Sequence, residues 1–177
     1  MLLKVYFSET YSPRDCNCFP LGTVFQYNPI ISMFKELSLF TSAKVCPNFR
    51  SCSSLTEVNF SNITSVGMQY LNNTSLIMAV FHEGFTTHGN LNYYTSKLIE
   101  LVDFPSTVTS IGENNFTSTS NCVIVCRATS VPTLGRNNGG AKALYVPAAA
   151  IANYKTATNW SAYANKIYPI EGSEYEH

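Results

Sequence analysis

The side chains that could do chemistry are three histidines, His82, His88 and His177, together with six cysteines and a few carboxylates. Nucleophilic catalysis by cysteine needs a histidine beside it in space, such as His88 beside Cys126, and no local nucleophile motif supports such a pair. His88 stands in a column of otherwise apolar residues, which predicts a buried histidine with one hydrogen-bond partner. We therefore expect a protein that is not an enzyme.

The six cysteines show no spacing that identifies a metal or redox site. Cys16-Asn17-Cys18 could hold either, but the sequence has no C-x-x-C motif and no second cysteine or histidine pair at zinc spacing. The even number of cysteines also allows disulfides. Since an unpaired cysteine packs as a small hydrophobic residue, we expect mostly reduced core thiols, no metal and no cofactor. The cysteines are Cys16, Cys18, Cys46, Cys52, Cys122 and Cys126.

The charge balance argues against some classes of partner. Lys plus Arg and Asp plus Glu number 11 each, and only 12% of the residues are charged. Because nucleic-acid binding needs a basic surface that releases counterions, no nucleic-acid partner is expected. A neutral surface rich in Ser, Thr and Asn suits contacts with proteins or glycans. The sequence has no apolar run of 18 residues and no recognisable signal peptide at its start, so we expect no membrane insertion.

The elements that position these side chains follow from apolar residues that recur every 21 to 23 positions. Residues 81–89 align without a gap to residues 104–112. Such a period is typical of a solenoid, in which each coil buries its apolar side against its neighbours. The columns are Phe49, Tyr70, Tyr93 and Phe116; Leu55, Leu76, Ile99 and Cys122; Val58, Ala79, Val102 and Val125; and Phe60, Phe81, Phe104 and, breaking the series, Arg127.

Each repeat is predicted to contain a short strand, such as residues 55–60, in which the side chains at 55, 58 and 60 point inward. A second short extended piece follows. Gly67, Gly89 or Gly112 then closes it, since glycine can adopt the positive φ of a tight corner. A helical or 3-10 turn carries the aromatic residue to the next strand. The predicted fold is a solenoid of mainly short parallel β-strands joined by turns or 3-10 helices.

The repeat pattern stops near residue 140, which sets the predicted domain boundaries. Residues 1–140 form the solenoid, with degenerate repeats over 1–33. Residues 141–170 form a small α/β C-terminal cap, because the end of an apolar coil must be covered. Residues 171–177 form a polar tail.

Within this C-terminal part, residues 122–126 are predicted to be the last strand of the solenoid. Leu144-Tyr145-Val146 predicts a strand that Pro147 stops, and the Ala-rich residues 148–158 predict a helix. Trp160, Tyr163 and Ile167 continue at helical spacing. We expect Ile151, Tyr154 and Trp160 to pack over the last coil.

The outward strand positions of one repeat are unusually apolar, which indicates a candidate partner-binding face. Ile77, Met78 and Val80 stand beside carboxylates of the adjoining repeats, which we expect to be solvated rather than paired for acid–base chemistry. Another strand or chain could cover this patch, or a register shift of one residue could exchange its inward and outward side chains. The candidate face comprises Glu57, Asn59, Ile77, Met78, Val80, Glu100, Leu101 and Asp103.

Several segments resemble the BspA-like leucine-rich repeat family of bacterial surface proteins. The matching segments are residues 52–58 (CSSLTEV), 104–112 (FPSTVTSIG) and 126–134 (CRATSVPTL). The closing motifs LYVP at 144–147, YK at 154–155 and WSAYA at 160–164 are similar to the ends of such proteins in gut Bacteroides and their phages. The resemblance spans about residues 34–170. It implies a leucine-rich repeat solenoid, surface display, and adhesion to host proteins or other cells.

Two functions of different classes follow from these patterns. The first is a non-catalytic binding or adhesion module, secreted or on a cell surface, that presents its repeats to a protein or glycan partner. The alternative is a structural component of a larger assembly, such as a phage virion appendage or the tip of a long surface protein, whose partners are neighbouring subunits. The resemblance favours the first, and the lack of a recognisable signal peptide favours the second.

Overall fold

The strands of this protein are short and follow one another at nearly constant intervals. The structure is a computed structural model that describes residues 33–34 and 48–177 except 59 and 62. Expectations for residues 1–32, and for Cys46 and Asn59, therefore lie outside the described residues. The strands are β1 Met33–Phe34, β2 Glu57–Val58, β3 Ser65–Val66, β4 Met78–Val80, β5 Thr87–His88, β6 Leu101–Phe104, β7 Ser110–Ile111, β8 Val123–Cys126, β9 Thr133–Leu134, β10 Ala143–Val146 and β11 Ile167–Pro169.

Successive coils stack their equivalent strands into parallel sheets. One sheet has five strands in the spatial order β4-β6-β8-β10-β11, a second has four in the order β3-β5-β7-β9, and β1 pairs with β2. Every pairing is parallel, including a single bridge between Phe60 and Phe81 that joins the coil of β2 to that of β4. The prediction of a solenoid of short parallel strands is confirmed.

The side chains that the columns place inside form one continuous core. The ring of Phe81 packs against those of Phe60 and Phe104, with centroids 4.6 Å and 5.5 Å away. Each fully buried aromatic or aliphatic side chain contributes roughly 1.5–3 kcal/mol relative to an exposed one. The predicted inward residues, all of which are buried, are Leu55, Val58, Phe60, Leu76, Ala79, Phe81, Ile99, Val102 and Phe104.

Two of the predicted columns shift by one residue. In the first coil, Leu71 is fully buried and the aromatic Tyr70 is only partly buried, with its ring over Gly67. In the last repeat, Ile124 pairs with Val102 and takes the inward position that the column assigned to Val125.

The reason for the second shift is that β6 and β8 are 22 residues apart rather than 23. Cys126 therefore pairs with Phe104, and Arg127 interrupts the series because it lies one position beyond the column. Val125 lies on the opposite side of the sheet, in register with Asp103. The assignment of Val125 to the inward column was wrong by one residue.

The corner glycines are required for close approach rather than for positive φ. A Cβ on Gly89 would lie 2.6 Å from the carbonyl carbon of Gly67, and one on Gly112 would lie 2.6 Å from that of Gly89. Real Cβ atoms do not approach backbone this closely. The positive φ in these turns belongs instead to five non-glycine residues, three of which lie two positions after a corner glycine, so the expected role of these glycines is corrected. Those residues are Gln69, Leu91, Asn114, Asn137 and Asn159, with φ between 58° and 64°.

A ladder of three buried asparagines, Asn92, Asn115 and Asn138, joins the coils on this side. The side-chain amide of Asn115 donates to the carbonyls of Gly89 and Gly112, both at 2.9 Å. Its Oδ1 accepts the backbone N–H of Asn92 at 2.7 Å, and the Oδ1 of Asn138 accepts that of Asn115 at 2.8 Å. Each asparagine thus satisfies backbone groups of two coils that would otherwise be buried without partners.

The five-stranded sheet continues past the strand predicted to be its last. β10 pairs with β8, and β11 pairs with β10, both in parallel. The predicted strand at residues 144–146 is therefore present as part of β10, but β8 does not end the sheet. The apolar columns do not predict this continuation, because a polar loop over residues 135–140 interrupts their spacing.

Helical structure lies between β10 and β11. A 3-10 turn over Ala148–Ala150 follows Pro147, and a short helix α1 spans Ile151–Thr156. A second 3-10 turn spans Trp160–Tyr163. The prediction that helical spacing continues to Ile167 was wrong, because Ile167 begins β11. The Trp160 indole donates to the carbonyl of Pro132 at 2.7 Å, and the Tyr154 hydroxyl donates to that of Ala128 at 2.8 Å. These two residues are buried against the preceding coil, and Ile151 is partly buried.

The last residues turn back towards the sheet. Ile170 donates its backbone N–H to Val146 at 2.9 Å, and the Glu171 carboxylate accepts the N–H of Ala148 at 2.8 Å. The ring of Tyr175 packs against that of Tyr145, with centroids 4.7 Å apart. Among the helices of the described residues, none is long and apolar enough to cross a membrane.

Candidate binding face of the five-stranded sheet

The five-stranded sheet has a second apolar side, which we call the outer face. Ala79, Val102, Ile124 and Leu144 belong to the main core, so the side chains that alternate with them point the other way. Strand register aligns these outward residues in two rows across the sheet. The first row is Met78, Leu101, Val123 and Ala143, and the second is Val80, Asp103, Val125, Tyr145 and Tyr168.

One part of the outer face, which we call the covered half, is buried by the end of the chain. Val123, Val125 and Ala143 form a separate small apolar cluster with Ile170 from the segment after β11. Leu101, Tyr145 and Tyr175 pack at its margin. Val125 has no solvent exposure although it lies outside the main core.

The other part of the outer face, which we call the open half, comprises Ile77, Met78, Val80 and Leu101. The exposed fractions of Ile77 and Met78 are 48% and 52%, and Val80 and Leu101 are partly buried. Glu100 is exposed at its margin. A contiguous exposed apolar patch on a soluble domain commonly marks an interaction site.

An ion pair separates the two halves in the second row, whereas in the first row Leu101 connects them. The Arg127 guanidinium donates through Nε to Asp103 Oδ1 at 3.0 Å and through Nη2 to Oδ2 at 2.7 Å. Burial raises the pKa of the Asp103 carboxyl, and the hydrogen bonds and charge of Arg127 oppose that rise. Asp103 is thus a buried, paired carboxylate and not the solvated one that its outward position predicts. Arg127 covers it because the column shift places this residue just past the end of β8.

The structure brings together four of the eight predicted face residues on β4 and β6: Met78, Val80, Leu101 and Asp103. Ile77 and Glu100 precede these two strands and are exposed. Glu57 begins β2, one coil earlier, and its side chain lies outside the description, as does Asn59. The one-residue register shift considered for β4 does not occur, since Ala79 is buried and Met78 is exposed.

Sequence analysis missed the outward residues beyond β6. Val123 and Val125 alternate with the inward Ile124, which is the signal that could have identified them, but the column assigned Val125 to the core. Tyr145 and Tyr168 were missed because β10 and β11 were not recognised as members of this sheet. Their hydroxyl-bearing rings lie in the second row, with centroids 5.5 Å apart.

His88 and Cys126, the residues considered for nucleophilic chemistry, each pair with a different tyrosine. His88 Nδ1 lies 3.2 Å from the carbonyl of Gly89 and Nε2 lies 3.2 Å from the Tyr93 hydroxyl, so Nδ1 carries the proton and Nε2 accepts. His88 is buried, as predicted, but with two partners rather than one. Burial lowers the pKa of His88 to about 3.

The Cys126 thiol is equally removed from solvent. Its sulfur lies 3.2 Å from the Tyr154 hydroxyl, and burial raises its pKa to about 11. Since the thiolate is the nucleophilic form, this environment disfavours reactivity. Cys122 is also an unpaired buried thiol, and Cys52 is buried. Within the described part of the chain, no group of three or more His, Cys, Asp or Glu side chains could hold a metal ion.

Comparison with known proteins identifies the repeats. The family model described as the BspA type leucine rich repeat region matches residues 44–137 with six copies, which is more than half of the chain. No curated protein matches the chain significantly. The matched segment contains β2 to β9, and it includes the open half of the outer face.

Proposed function

The chain belongs to the BspA-type leucine-rich repeat family, and from this premise we propose that it is a binding module whose open half contacts a protein partner. Repeats of this type form a non-enzymatic fold that commonly mediates protein interactions and is typically surface-associated. Adhesion at a cell surface is the role we propose for the module. Solenoids suit this role because adjacent coils place side chains next to each other over an extended surface.

The observation that carries the proposal is that the two halves of the apolar outer face are buried to different extents. The covered half is closed by the residues after β11, whereas Met78 in the first row and the preceding Ile77 remain about half exposed. A protein partner suits this surface better than a charged ligand, because the open half supplies aliphatic and thioether side chains. Methionine in particular adapts its shape to varied partners.

The test compares two lysine substitutions at methionines of similar exposure. Met78→Lys changes the open half, and Met68→Lys changes a turn outside it, where the exposed fraction of Met68 is 59%. We expect labelled Met78→Lys protein to bind cells about tenfold more weakly than wild type, since an unpaired charge enters the interface. The Met68→Lys protein should bind as wild type does.

Bacterial and epithelial cells would serve as the two binding surfaces, measured by flow cytometry with a labelled unrelated protein as background. Equal binding by both variants and wild type would exclude the open half as the contact site. The comparison requires that the two variants have equal melting temperatures, which circular dichroism measures.

A structural role in a larger assembly is the second candidate, and the end of the five-stranded sheet favours it. β11 pairs with β10 on one side only, and its other backbone edge is unpaired among the described residues. Such an edge can pair with another chain, although Pro169 contributes no N–H there. Under this alternative, light scattering during size-exclusion chromatography would show concentration-dependent oligomers. A monomer over the whole concentration range favours the binding module.

A further inference from the structure

A polar cleft lies between the last two turns of the solenoid, away from the outer face. Its volume is about 480 Å³, within the range of small-molecule sites. Its walls carry amide, hydroxyl and methyl groups and no charged side chain. The lining residues are Asn137, Asn138, Gly139, Asn159, Ser161 and Ala162.

The cleft exists because the stacking of turns stops here. In the preceding coils, the positive-φ residue donates its backbone N–H to a carbonyl of the next coil: Gln69 to Asn90, Leu91 to Glu113 and Asn114 to Arg136, at 2.9 to 3.1 Å. Asn137 and Asn159 are the next two residues of this series. Among the described residues, the N–H of Asn137 has no such acceptor, so the two turns lie apart.

The asparagine ladder ends at the same place. The backbone N–H groups of Asn92 and Asn115 each donate to the Oδ1 of the next asparagine along the ladder. The residue that follows Asn159 is Trp160, whose indole is turned to the carbonyl of Pro132. Within the part of the chain that the structure describes, the N–H of Asn138 therefore has no carboxamide oxygen as its acceptor, unlike the N–H groups of Asn92 and Asn115.

The side chains around this N–H offer further polar groups. The amide of Asn159 donates to the carbonyl of Leu134 at 2.6 Å, which leaves its Oδ1 to accept a hydrogen bond. The Ser161 hydroxyl lies on an exposed residue of the opposite wall. A ligand that fits would therefore present a neutral carbonyl oxygen to the backbone N–H groups and hydroxyl groups to Asn159 and Ser161.

We propose that this cleft binds an N-acetylated sugar, with the acetamido carbonyl accepting the N–H of Asn138 as an asparagine Oδ1 does in the preceding coils. A carboxylate or phosphate would lack a cation among the lining side chains, since the nearby Lys166 ammonium donates to the carbonyls of Gly139 and Ala141. The side chain of a peptide would find no apolar pocket, since Ala162 is the largest aliphatic residue of the lining. An N-acetylated sugar carries an acetamido carbonyl and ring hydroxyls in one molecule.

The experiment is a titration of ¹⁵N-labelled protein with free N-acetylglucosamine, followed by amide chemical shifts. We expect saturable shifts at Asn137, Asn138, Gly139 and Ser161. Glucose, which lacks the acetamido group, should bind about fivefold more weakly, the equivalent of one lost hydrogen bond. N-acetyl-asparagine amide serves as the peptide-like probe and should bind more weakly than the sugar.

Two serine variants complete the test. Ser161→Phe fills the cleft and should remove the saturable shifts, while Ser54→Phe, at an exposed position near the other end of the described coils, should leave them unchanged. Shifts that do not saturate, or that persist in Ser161→Phe, would overturn the site. Equal binding of glucose, or tighter binding of the asparagine amide, would overturn the assignment to an N-acetylated sugar.

Discussion

The covered and open halves of the outer face have similar chemistry and different surroundings. Both are built mainly from apolar side chains in the same two rows of the same sheet. Ile170 and Tyr175 close one half, whereas Met78 is half exposed in the other. The comparison shows that an outward position in a solenoid strand does not determine exposure, because later parts of the chain can lie on it.

The same substitution in the two halves should have very different effects on stability. Val125→Lys places a charge beneath the end of the chain, and we expect the free energy of unfolding to fall by about 3 kcal/mol. Met78→Lys should change it by less than about 0.5 kcal/mol, since the ammonium reaches solvent. Urea denaturation of the two variants measures the difference. Equal losses would show that the two halves are equally covered.

The inner side of the solenoid, where His88 lies, is fully buried and serves as a reference for the two halves. Its burial can be measured through the pH dependence of protein stability that His88 causes. Its pKa is about 3 in the folded protein and 6.5 is the ordinary value, so the unfolded chain takes up a proton first as the pH falls. Stability should therefore decline from pH 6.5 towards pH 3, with a loss of about 2 kcal/mol by pH 5. Above pH 6.5 this residue contributes no pH dependence.

The His88→Gln variant isolates this effect, because glutamine does not titrate. The raised pKa of Asp103 acts in the opposite direction, since the folded protein binds that proton more readily as the pH falls. The quantity to compare is therefore the change in stability between pH 7 and pH 5 in wild type and variant. If stability changes by the same amount in wild type and in His88→Gln, the protonated form of His88 must be accessible to solvent in the folded protein.

The boundary between the two halves can be tested by substituting either member of the Asp103–Arg127 ion pair. Asp103→Leu or Arg127→Leu alone should cost about 2 kcal/mol, less than a fully buried pair, because the Arg127 side chain is 27% exposed and partly screened. The double variant should lie within about 1 kcal/mol of wild type, since no charge is left unpaired. A double-mutant cycle measured by thermal unfolding provides the coupling. Additive losses would mean that the two side chains do not interact.

A smaller effect is expected where the end of the chain meets the sheet. Tyr175→Ala removes a ring from Tyr145 and should lower stability by about 1 kcal/mol. Tyr94→Ala is the matched control, because Tyr94 is an exposed tyrosine on a turn between strands. It should change stability by less than about 0.5 kcal/mol. Calorimetry of both variants compares them, and an unchanged Tyr175→Ala protein would show that this ring does not secure the covered half.

The inner face of the solenoid could be predicted from the sequence because its residues obey two fixed periods. Alternation within a strand and a step of 21 to 23 residues between coils together determine which side chains meet, as Phe60, Phe81 and Phe104 do. The step from β6 to β8 is one residue shorter, and this change moved Val125 from the inner face to the outer face. Such a change leaves no trace in the apolar columns when both neighbouring residues are apolar.

Other features depend on contacts between residues far apart in sequence. Cover of the outer face by Ile170 and pairing of Asp103 with Arg127 have no periodic signal. The asparagine ladder does have one, because Asn92, Asn115 and Asn138 recur at intervals of 23, but this polar period lies outside the apolar columns. Of the candidate site, the open half was therefore predictable, and its boundary and covered half were not.

The central claim, that the open half is the partner contact, is tested most directly by site-specific photo-cross-linking. A benzophenone amino acid at position 78 would lie within the open half, and one at position 68 would lie on an exposed turn outside it. After illumination on intact cells, we expect a covalent adduct of defined mass from position 78 and none from position 68. Adducts of equal yield from both positions, or from position 68 alone, would contradict the claim.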